Sequence, residues 1–448
     1  MKKYVPTWES LDSRKIPKWF NEAKFGIFIH WGVYSVPAWR KLNPERFGSY
    51  AEWYYAGVYG NYKNNEDDFH KRNFGEEFEY REFAPLFKGE LFDPSKWASI
   101  IENSGAKYVV FTSKHHDGYC MWGTKNKHKK NWNCVDVGPQ RDLMKDLFKS
   151  INRLGLKTGI YYSIIDWETN SSHRASDKYF VPRKMVEKYG IEEKSYVQEI
   201  LLPQLKELVN TFNPSLIFAD GGEWDLTEEE TEIKDFLSWL YNESSCKSEV
   251  VVNDRFCVEM PGQHGDYFSS EYKDVEISGL KHAWEESRGI GQSYGYNRAE
   301  NLEDYSTSHE LIMELIEIVS KGGNFLLNIG PTCDGRIPVI QQQRLSDIGK
   351  WLKVNGEAVY GSTSAEIISI NNTYFTKKEN VLYAISEIFP AEELVLDLVQ
   401  PVKEITLLGS SHKVKWAQSK NKLQIYSPAV TIRDIPSAHA VSYKIELR

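Results

Sequence analysis

The chain has 448 residues, a formal net charge of −8 at pH 7 and a hydrophobic fraction of 41%. This length exceeds what one hydrophobic core usually supports, so we expect a large domain and a smaller one. The acidic balance argues against nucleic acid or an anionic membrane as a partner. The five cysteines show neither a CxxC pair nor zinc-ligand spacing, which favours a reducing compartment.

No window of the sequence has the apolar length of a signal peptide or of a membrane-spanning helix. We therefore expect a cytoplasmic protein without a membrane partner, unless a signal peptide was removed from this chain. The sequence leaves the oligomeric state open, with a homo-oligomer as one alternative.

One arrangement repeats between about Phe25 and Ile329: a short apolar run, a polar residue at its end, a loop and an amphipathic helix. The runs cover residues 25–31, 107–116, 158–167, 215–220, 249–255, 266–272 and 324–330. Strands that alternate with helices predict an α/β fold with a parallel sheet. Seven or eight such units favour a closed (β/α)8-like TIM barrel over an open sheet, and no GxGxxG follows the first strand.

The sequence changes character after residues 355–362. Short alternating apolar runs follow, separated by polar turns and without a helical stripe between them. This pattern predicts a small antiparallel β-sandwich. We therefore predict a catalytic barrel over residues 1–358 and a C-terminal β-sandwich domain over residues 359–448.

Polar side chains stand where the predicted barrel strands end. Functional residues of such barrels gather at the carboxyl ends of the strands. The strand-end residues are His30 and Trp31, then His115, His116 and Asp117, then Tyr161, Ser163, Asp166 and Trp167, then Asp220, then Asn253, Asp254 and Arg255, and finally Glu271. For Asp220 alone, a structural role as a helix cap is an equal alternative. The full set predicts a functional rim.

Three histidines and an aspartate on one rim first suggest a metal ion. Barrel zinc sites usually carry a second imidazole two residues after the first, but here Trp31 and Gly32 follow His30. Adjacent side chains on an extended strand, such as His115 and His116, also point to opposite sides unless a bend at the strand end turns both inward. We therefore predict no metal and no cofactor, while a metal-dependent barrel hydrolase stays an alternative. Imidazoles also hydrogen-bond to hydroxyl groups, as sugars would require.

Glycoside hydrolysis needs two carboxyl groups that flank the scissile bond. Asp220 and Glu271 end different strands of the same rim and so form a candidate pair. Several other acids lie near plausible loops, and spacing alone does not rank them: Glu52, Glu223, Asp254, Glu285 and Glu286.

Several motifs occur in a fixed order, namely HWGVYSVPAW, EWYYAGVYG, KHHDGYCMW, GPQRDL, GIYYSIIDW, FADGGEW, VNDR, WEESRGIGQSYGYNR and SKGGNFLLNIGPTCDGRIP. Together they resemble the glycoside hydrolase family 29 α-L-fucosidases, over about Trp19 to Gly361. The resemblance implies a retaining exo-α-L-fucosidase that releases terminal fucose from oligosaccharides or glycoconjugates through a covalent fucosyl-enzyme. A catalytically silent sugar-binding relative is a further alternative.

The resemblance also implies roles for individual residues. Asp220 matches the nucleophile, and SSEYK aligns Glu271 with the acid/base, with Glu285 in reserve. The positions that match substrate-binding residues are His30, Glu52, Trp53, His115, His116, Tyr161 and Arg255. Fucose is a 6-deoxy sugar, so we expect an apolar wall for its methyl group, with Phe28, Phe218 and Trp284 as candidates. Phe218 and Ala219 depart from the Trp and Asn that many relatives carry before the nucleophile.

Overall fold

The computed structural model describes residues 3–43, 48–60, 66–169, 187–188, 196–272, 282–365, 367, 369, 372–387, 389 and 393–448. Eight parallel strands form its central sheet, in the order β5-β4-β3-β2-β1-β8-β7-β6. They are β1 (Phe25–Ile29), β2 (Tyr108–Lys114), β3 (Lys157–Ser163), β4 (Leu216–Asp220), β5 (Val251–Val252), β6 (Phe268–Glu271), β7 (Trp284–Gly289) and β8 (Asn324–Ile329). Every strand from β1 to β4 is buried along nearly its whole length, as a barrel covered by helices requires. The predicted TIM-type α/β fold is confirmed.

The two end strands of this order, β5 and β6, meet through the segment before β6. Val252 N donates to Asp266 Oδ2 at 3.0 Å, and Asp266 N donates to Val252 O at 2.9 Å. Asp266 also accepts a hydrogen bond from Arg14 Nη1 at 2.8 Å. These bonds join the edges of the curled sheet, and we call them the β5–β6 seam.

Helices surround the barrel. The described α-helices are α1 (Trp8–Asp12), α2 (Lys18–Ala23), α3 (Tyr54–Tyr59), α4 (Glu66–Phe74), α5 (Pro94–Asn103), α6 (Leu143–Arg153), α7 (Leu202–Phe212), α8 (Glu228–Thr231), α9 (Ile233–Asn242), α10 (Ser308–Ser320) and α11 (Val339–Val359). Local sequence explains where they begin. Asp93 accepts from the amides of the first turn of α5, and Thr307 with Glu310 forms a capping box at the start of α10. None of the helices in the described ranges is long and apolar enough to cross a membrane.

Short helical turns connect several of these elements. They are the 3₁₀ turns Val33–Ser35, Ala51–Trp53, Tyr80–Leu86, Lys127–Lys129, Gly222–Trp224, Leu302–Asp304 and Ile432–Asp434, and the π-helical turn Val197–Leu201 before α7. Two of them, at Ala51–Trp53 and Gly222–Trp224, carry residues of the candidate site.

Strand β7 was not among the predicted runs. Its sequence, WEESRG, contains two glutamates, and both Glu285 and Glu286 are buried. Each carboxylate accepts a hydrogen bond from a buried hydroxyl, that of Tyr108 for Glu285 and that of Ser270 for Glu286. These hydrogen bonds compensate for the cost of burying two carboxyl groups. Because buried positions of the strand are glutamates, it lacks the apolar pattern by which buried strands are predicted.

The C-terminal part consists of two antiparallel sheets. Their strands are β9 (Thr363–Ser364), β10 (Thr373–Lys378), β11 (Val381–Ser386), β12 (Leu394–Asp397), β13 (Val402–Leu407), β14 (Lys415–Ser419), β15 (Lys422–Tyr426) and β16 (Val441–Leu447). The five-stranded sheet has the order β13-β16-β11-β10-β9 and the three-stranded sheet the order β12-β15-β14. Side chains of both sheets, among them Leu382, Ile445 and Leu423, share one hydrophobic core. The antiparallel architecture predicted for this part is confirmed.

Candidate active site

Asp220 is the last residue of β4 and lies at the carboxyl end of the barrel. Its Oδ2 accepts a hydrogen bond from Tyr161 Oη at 2.7 Å, and its Oδ1 lies 3.3 Å from Arg255 Nη1. The Asp220 side chain keeps 14% of its surface exposed. Hydrogen bonds from a phenol and a guanidinium fix the orientation of this carboxylate, and its exposed face remains available to a ligand.

Arg255 joins Asp220 to two further carboxyl groups. Its Nη1 lies 2.5 Å from Glu271 Oε1 and 3.8 Å from Glu223 Oε1. Its Nε donates to Ser269 Oγ at 2.9 Å, which fixes the plane of the guanidinium. Burial by itself lowers the pKa of Arg255, but the neighbouring carboxyl groups, Glu271 before the others, raise it well above its usual value. Arg255 is therefore a permanent cation at the centre of an acidic cluster.

His30 enters the site as a hydrogen-bond acceptor. Asn328 Nδ2 donates to Tyr294 O at 2.7 Å, which turns the amide oxygen of Asn328 toward His30 Nδ1, also at 2.7 Å. Because an amide oxygen only accepts, His30 carries its proton on Nδ1 and leaves Nε2 free to accept. Burial lowers the pKa of His30 to about 3, so the ring is neutral.

His116 is oriented in the same way by a hydroxyl group. Ser163 Oγ donates to Ile165 O at 2.7 Å and therefore accepts from His116 Nδ1 at 2.6 Å. The other ring nitrogen, Nε2, lies 3.5 Å from Asp220 Oδ2. Burial lowers the pKa of His116 to about 3, so this contact is not an ion pair. A hydroxyl group placed between the two could donate to either acceptor.

The remaining predicted binding residues adjoin these histidines. The ring of His115 stacks on Tyr161 with centroids 5.5 Å apart, and its buried Nδ1 finds no hydrogen-bond partner among the described residues. The ring of Trp53 lies 5.6 Å from that of His116. Glu52 Oε2 accepts from Gly295 N at 2.8 Å, and burial raises the pKa of Glu52 to about 7. The site thus offers neutral acceptors and donors suited to hydroxyl groups.

An aromatic floor supports the site. Phe218 in β4 has its ring centroid 5.0 Å from Phe28 and 6.1 Å from Tyr161, and the Arg255 guanidinium carbon lies 5.7 Å above the Phe218 ring. Two of the three apolar candidates therefore lie beside Asp220. The described residues contain no group of three or more His, Cys, Asp or Glu arranged to hold a metal ion.

Two family models match this chain. The model described as alpha-L-fucosidase covers residues 1–357, and the model described as alpha-L-fucosidase C-terminal domain covers residues 368–446. The chain belongs to the α-L-fucosidase family. This membership makes it a glycoside hydrolase by descent and confirms the resemblance seen in the ordered motifs.

Curated relatives cover almost the whole chain. The human tissue α-L-fucosidase is 39% identical over 454 residues, which span 99% of this chain and 92% of that protein. The α-L-fucosidase of Dictyostelium discoideum is 38% identical over 453 residues, 98% of this chain and 93% of its own.

Solved structures of the α-L-fucosidase family have the same fold. The Thermotoga maritima α-fucosidase in complex with fucose superposes with a TM-score of 0.83 at 34% identity, covering 99% of this chain and 100% of that one. The same enzyme in complex with a mechanism-based inhibitor gives a TM-score of 0.83 at 35% identity, with the same coverage.

Trp284 does not lie where the α-L-fucosidase resemblance led us to expect it. It is the first residue of β7, paired with Phe268 at the start of β6, and its ring lies against Gly323, just before β8. Trp284 is thus at the amino-terminal end of the barrel, opposite Asp220. This position corrects the expectation that Trp284 lines the pocket for the methyl group, because β7 starts at this tryptophan rather than ending near it.

Glu285 follows in the same strand, and its position corrects its reserve assignment as acid/base. It accepts from the hydroxyl of Tyr108, the first residue of β2. Tyr108 precedes Thr112, the strand partner of Tyr161, by four residues, or roughly 13 Å of strand. Glu285 therefore lies in a lower layer of the barrel interior and does not face Asp220.

Sequence reasoning did not single out two residues that shape this α-L-fucosidase site. Asn328, which orients His30, is a polar residue within the apolar run NFLLNIG, and that interruption was a usable signal. Glu223 is only one of several unranked acids in the sequence, although it stands three residues after Asp220 in a short 3₁₀ turn that returns it to the same rim.

Proposed function

We propose that this chain is a retaining exo-α-L-fucosidase that hydrolyses terminal α-L-fucosyl residues of fucosylated oligosaccharides or glycoconjugates. Family membership supports the substrate sugar. The observation that carries the mechanism is the bridge formed by Arg255 Nη1, which contacts Asp220 Oδ1 at 3.3 Å and Glu271 Oε1 at 2.5 Å.

The bridge sets the spacing of the carboxyl pair. Because both oxygens contact one nitrogen atom, they are less than about 6 Å apart, near the about 5–5.5 Å separation of retaining enzymes and below the about 6.5–9.5 Å of inverting ones. A separation below the range of inverting enzymes favours direct attack by a carboxylate over attack by a water molecule held between the sugar and the carboxylate.

In the first step, Asp220 attacks the anomeric carbon of fucose and forms an ester bond to it. The bond from that carbon to the leaving oxygen breaks, and Glu271 gives its proton to this oxygen. Tyr161 and Arg255 hold the attacking carboxylate in place through their bonds to its two oxygens. This orientation lowers the entropic part of the activation barrier.

In the second step, the Glu271 carboxylate takes a proton from water. The water oxygen bonds to the anomeric carbon, and the ester bond to Asp220 breaks with its electrons returning to the carboxylate. The contact of Arg255 Nη1 with Glu271 Oε1 holds the carboxylate in place for this proton transfer. Two inversions at the same carbon give fucose with retained configuration.

The other site residues bind the sugar in this proposal. The neutral rings of His30, His115 and His116 exchange hydrogen bonds with the fucose hydroxyls, together with Glu52, and Trp53 covers the sugar ring. Phe218 and Phe28 supply the apolar wall for the methyl group. A pocket of this kind discriminates against an added hydroxyl on that methyl group by only about 10²-fold.

The test is Asp220→Gly assayed with an aryl α-L-fucoside. We expect a loss of activity on the order of 10⁴-fold or more, because the nucleophile is gone. Added azide should restore cleavage by occupying the vacated space, and the product should be β-L-fucosyl azide, formed by a single inversion.

Azide should leave the unmodified enzyme unaffected, which serves as the control. A variant that keeps its activity, or that stays inactive with azide and yields no fucosyl azide, would remove Asp220 from the mechanism.

A further inference from the structure

Glu223 is held beside the carboxyl pair by the turn that follows β4. Gly221 has φ +84°, in the left-handed region where glycine is favoured, and this turns the chain sharply after Asp220. A Cβ atom on Gly222 would lie 2.1 Å from Phe256 O, so the turn packs directly against the chain segment that carries Arg255. The backbone therefore fixes where the Glu223 side chain can lie.

One oxygen of Glu223 has a partner and the other has none. Oε1 lies 3.8 Å from Arg255 Nη1. Oε2 is shielded from solvent and has no hydrogen-bond partner among the described residues. Buried polar atoms in folded proteins are almost always hydrogen-bonded, so an exception within a binding site points to a bond made by the ligand.

The surroundings of Glu223 favour its neutral form. Burial and the charge of Asp220 raise the pKa of Glu223 well above its usual value, with Arg255 opposing them and Glu271 adding to the increase. A neutral carboxylic acid with its carbonyl oxygen toward Arg255 carries its hydrogen on Oε2. The atom without a partner is then a hydrogen-bond donor.

The two oxygens of Asp220 divide the site into two sides. Oδ2 faces Tyr161 and His116, on the side of the neutral rings. Oδ1 faces Arg255, on the side of Glu271 and Glu223. Because the acid/base must reach the leaving oxygen, the second side is the leaving-group side.

We propose that Glu223 determines specificity on the leaving-group side: its carboxylic O–H donates a hydrogen bond to an oxygen atom of the sugar to which fucose is attached. The inference rests on the proposed fucosidase function and adds a contact to that same site. It assigns to Glu223 a substrate contact and no part in the proton transfer, which stays with Glu271.

The experiment compares Glu223→Ala and Glu223→Gln on two kinds of substrate. One is 4-nitrophenyl α-L-fucoside, whose leaving group presents no sugar oxygen. The other is the α-L-fucosyl disaccharide that the unmodified enzyme cleaves fastest among the α1,2, α1,3, α1,4 and α1,6 linkages. Glu223→Gln keeps a neutral donor of nearly the same shape and is the matched control.

We expect Glu223→Ala to lower kcat/KM for the disaccharide about tenfold or more and to change that for the aryl fucoside less than about threefold. Glu223→Gln should stay within about threefold of the unmodified enzyme on both. If Glu223→Ala does not fold, Glu223→Met keeps the side-chain length and gives the same readout.

Equal losses on both substrates would overturn the inference, because they would place Glu223 at the reacting carbon. Unchanged cleavage of the disaccharide would overturn it as well, as would an unmodified enzyme that cleaves the aryl fucoside and none of the disaccharides. A Glu223→Gln variant that fails only on the disaccharide would make Glu223 a proton donor instead. Absence of all fucosidase activity in the unmodified protein would instead refute the proposed function.

Discussion

Arg255 decides the electrostatics of the site at the scale of single residues. One guanidinium nitrogen contacts both Asp220 and Glu271. Burial and the charge of Asp220 raise the pKa of the third carboxyl group, Glu223, and so favour its neutral form. The cluster therefore balances one fixed cation against the two carboxyl groups that the proposed reaction needs. In each step, one of the two is uncharged, as an ester or as an acid.

Glu271→Ala tests the division of labour between these carboxyl groups. We expect kcat/KM to fall on the order of 10²–10⁴-fold for a fucosyl disaccharide, whose leaving oxygen needs a proton. Cleavage of 4-nitrophenyl α-L-fucoside should suffer far less in its first step, because that leaving group departs without protonation. Steady-state and pre-steady-state assays on both substrates measure the difference.

Lys403→Ala is a suitable control, since Lys403 pairs with Glu446 on the surface of the C-terminal sheets. Equal losses of Glu271→Ala on both substrates would remove Glu271 from the acid/base role.

The strand-end residues could be predicted because the chemistry of a parallel barrel collects at one edge. Asp220 and Glu271 end β4 and β6, Arg255 follows β5, and the structure brings all three into contact. Trp284 and Glu285 could not be placed from the sequence, because their strand buries two glutamates that are hydrogen-bonded to hydroxyl groups. The strand therefore lacks an apolar pattern. Periodicity reports burial only where buried residues are apolar.

At the scale of elements, the segment VNDR connects three strands. Asn253 exchanges hydrogen bonds of 2.8 Å with both backbone groups of Ala219 in β4. Asp254 Oδ1 accepts from Ser269 N at 3.0 Å and from Ser269 Oγ at 2.8 Å in β6. Arg255 is thereby positioned between Asp220 and Glu271. The backbone of Ala219, the residue before Asp220, therefore forms both hydrogen bonds with the amide side chain of Asn253.

The length of β5 could not be read from the sequence. The apolar run EVVVNDR predicted a strand over residues 249–255, but in the structure β5 consists of Val251 and Val252 alone, paired with Leu216 and Ile217 of β4. The connection onward to β6 runs through Asp266, whose side chain and backbone both bond to the backbone of Val252 in the β5–β6 seam. A pattern of strand residues does not reveal pairing of this kind.

Asp266→Ala tests the β5–β6 seam. The substitution removes the acceptor of Val252 N and leaves Arg14 buried without its carboxylate. Breaking a buried ion pair on one side typically costs about 3–5 kcal/mol, so we expect the free energy of unfolding to fall by this amount. Chemical denaturation followed by circular dichroism measures it.

Asp397→Ala is the matched control, because Asp397 pairs with Lys422 on the surface, with side chains 72% and 61% exposed. Its effect should be within about 0.5 kcal/mol. A similar small effect for Asp266→Ala would mean that the seam does not hold the barrel closed.

At the scale of the whole molecule, the barrel contains several buried acids that bind their protons unusually tightly. Burial raises the pKa of Glu285 to about 8 and that of Asp117 and of Glu300 to about 7. In the unfolded chain these groups lose their protons near their ordinary values. The folded state therefore binds more protons than the unfolded state between mildly acidic and neutral pH, and its stability falls as the pH rises through that interval.

Glu285→Gln isolates one of these contributions. Between the ordinary pKa of 4.5 and the folded value of about 8, Glu285 lowers the stability of the unmodified protein as the pH rises. The slope is at most about 1.4 kcal/mol per pH unit. The variant cannot titrate at this position, so its stability relative to the unmodified protein should increase from pH 5 to pH 8. Urea denaturation at each pH measures this difference.

Glu404→Gln, at an exposed position of β13, is the control. If the difference in stability between Glu285→Gln and the unmodified protein does not change with pH, Glu285 has the same pKa in the folded and unfolded states, which would contradict the account.

The two-part organisation could be predicted from the sequence because the period of the apolar pattern changes from helical to alternating. The contact between the parts could not. Trp351 of α11 is buried and donates from Nε1 to Ala440 O, just before β16, at 2.9 Å. Nothing in an amphipathic helix indicates which surface covers its second apolar face.

The central claim is that Asp220 forms a covalent bond to fucose, and covalent trapping tests it most directly. A 2-deoxy-2-fluoro-α-L-fucosyl fluoride slows both steps but forms the intermediate readily because fluoride departs easily. We expect mass spectrometry of the intact protein to show one fucosyl adduct, and peptide mapping to place it on Asp220. An adduct on Glu223 or Glu271, or turnover of the reagent without any adduct and with inverted product, would contradict the account.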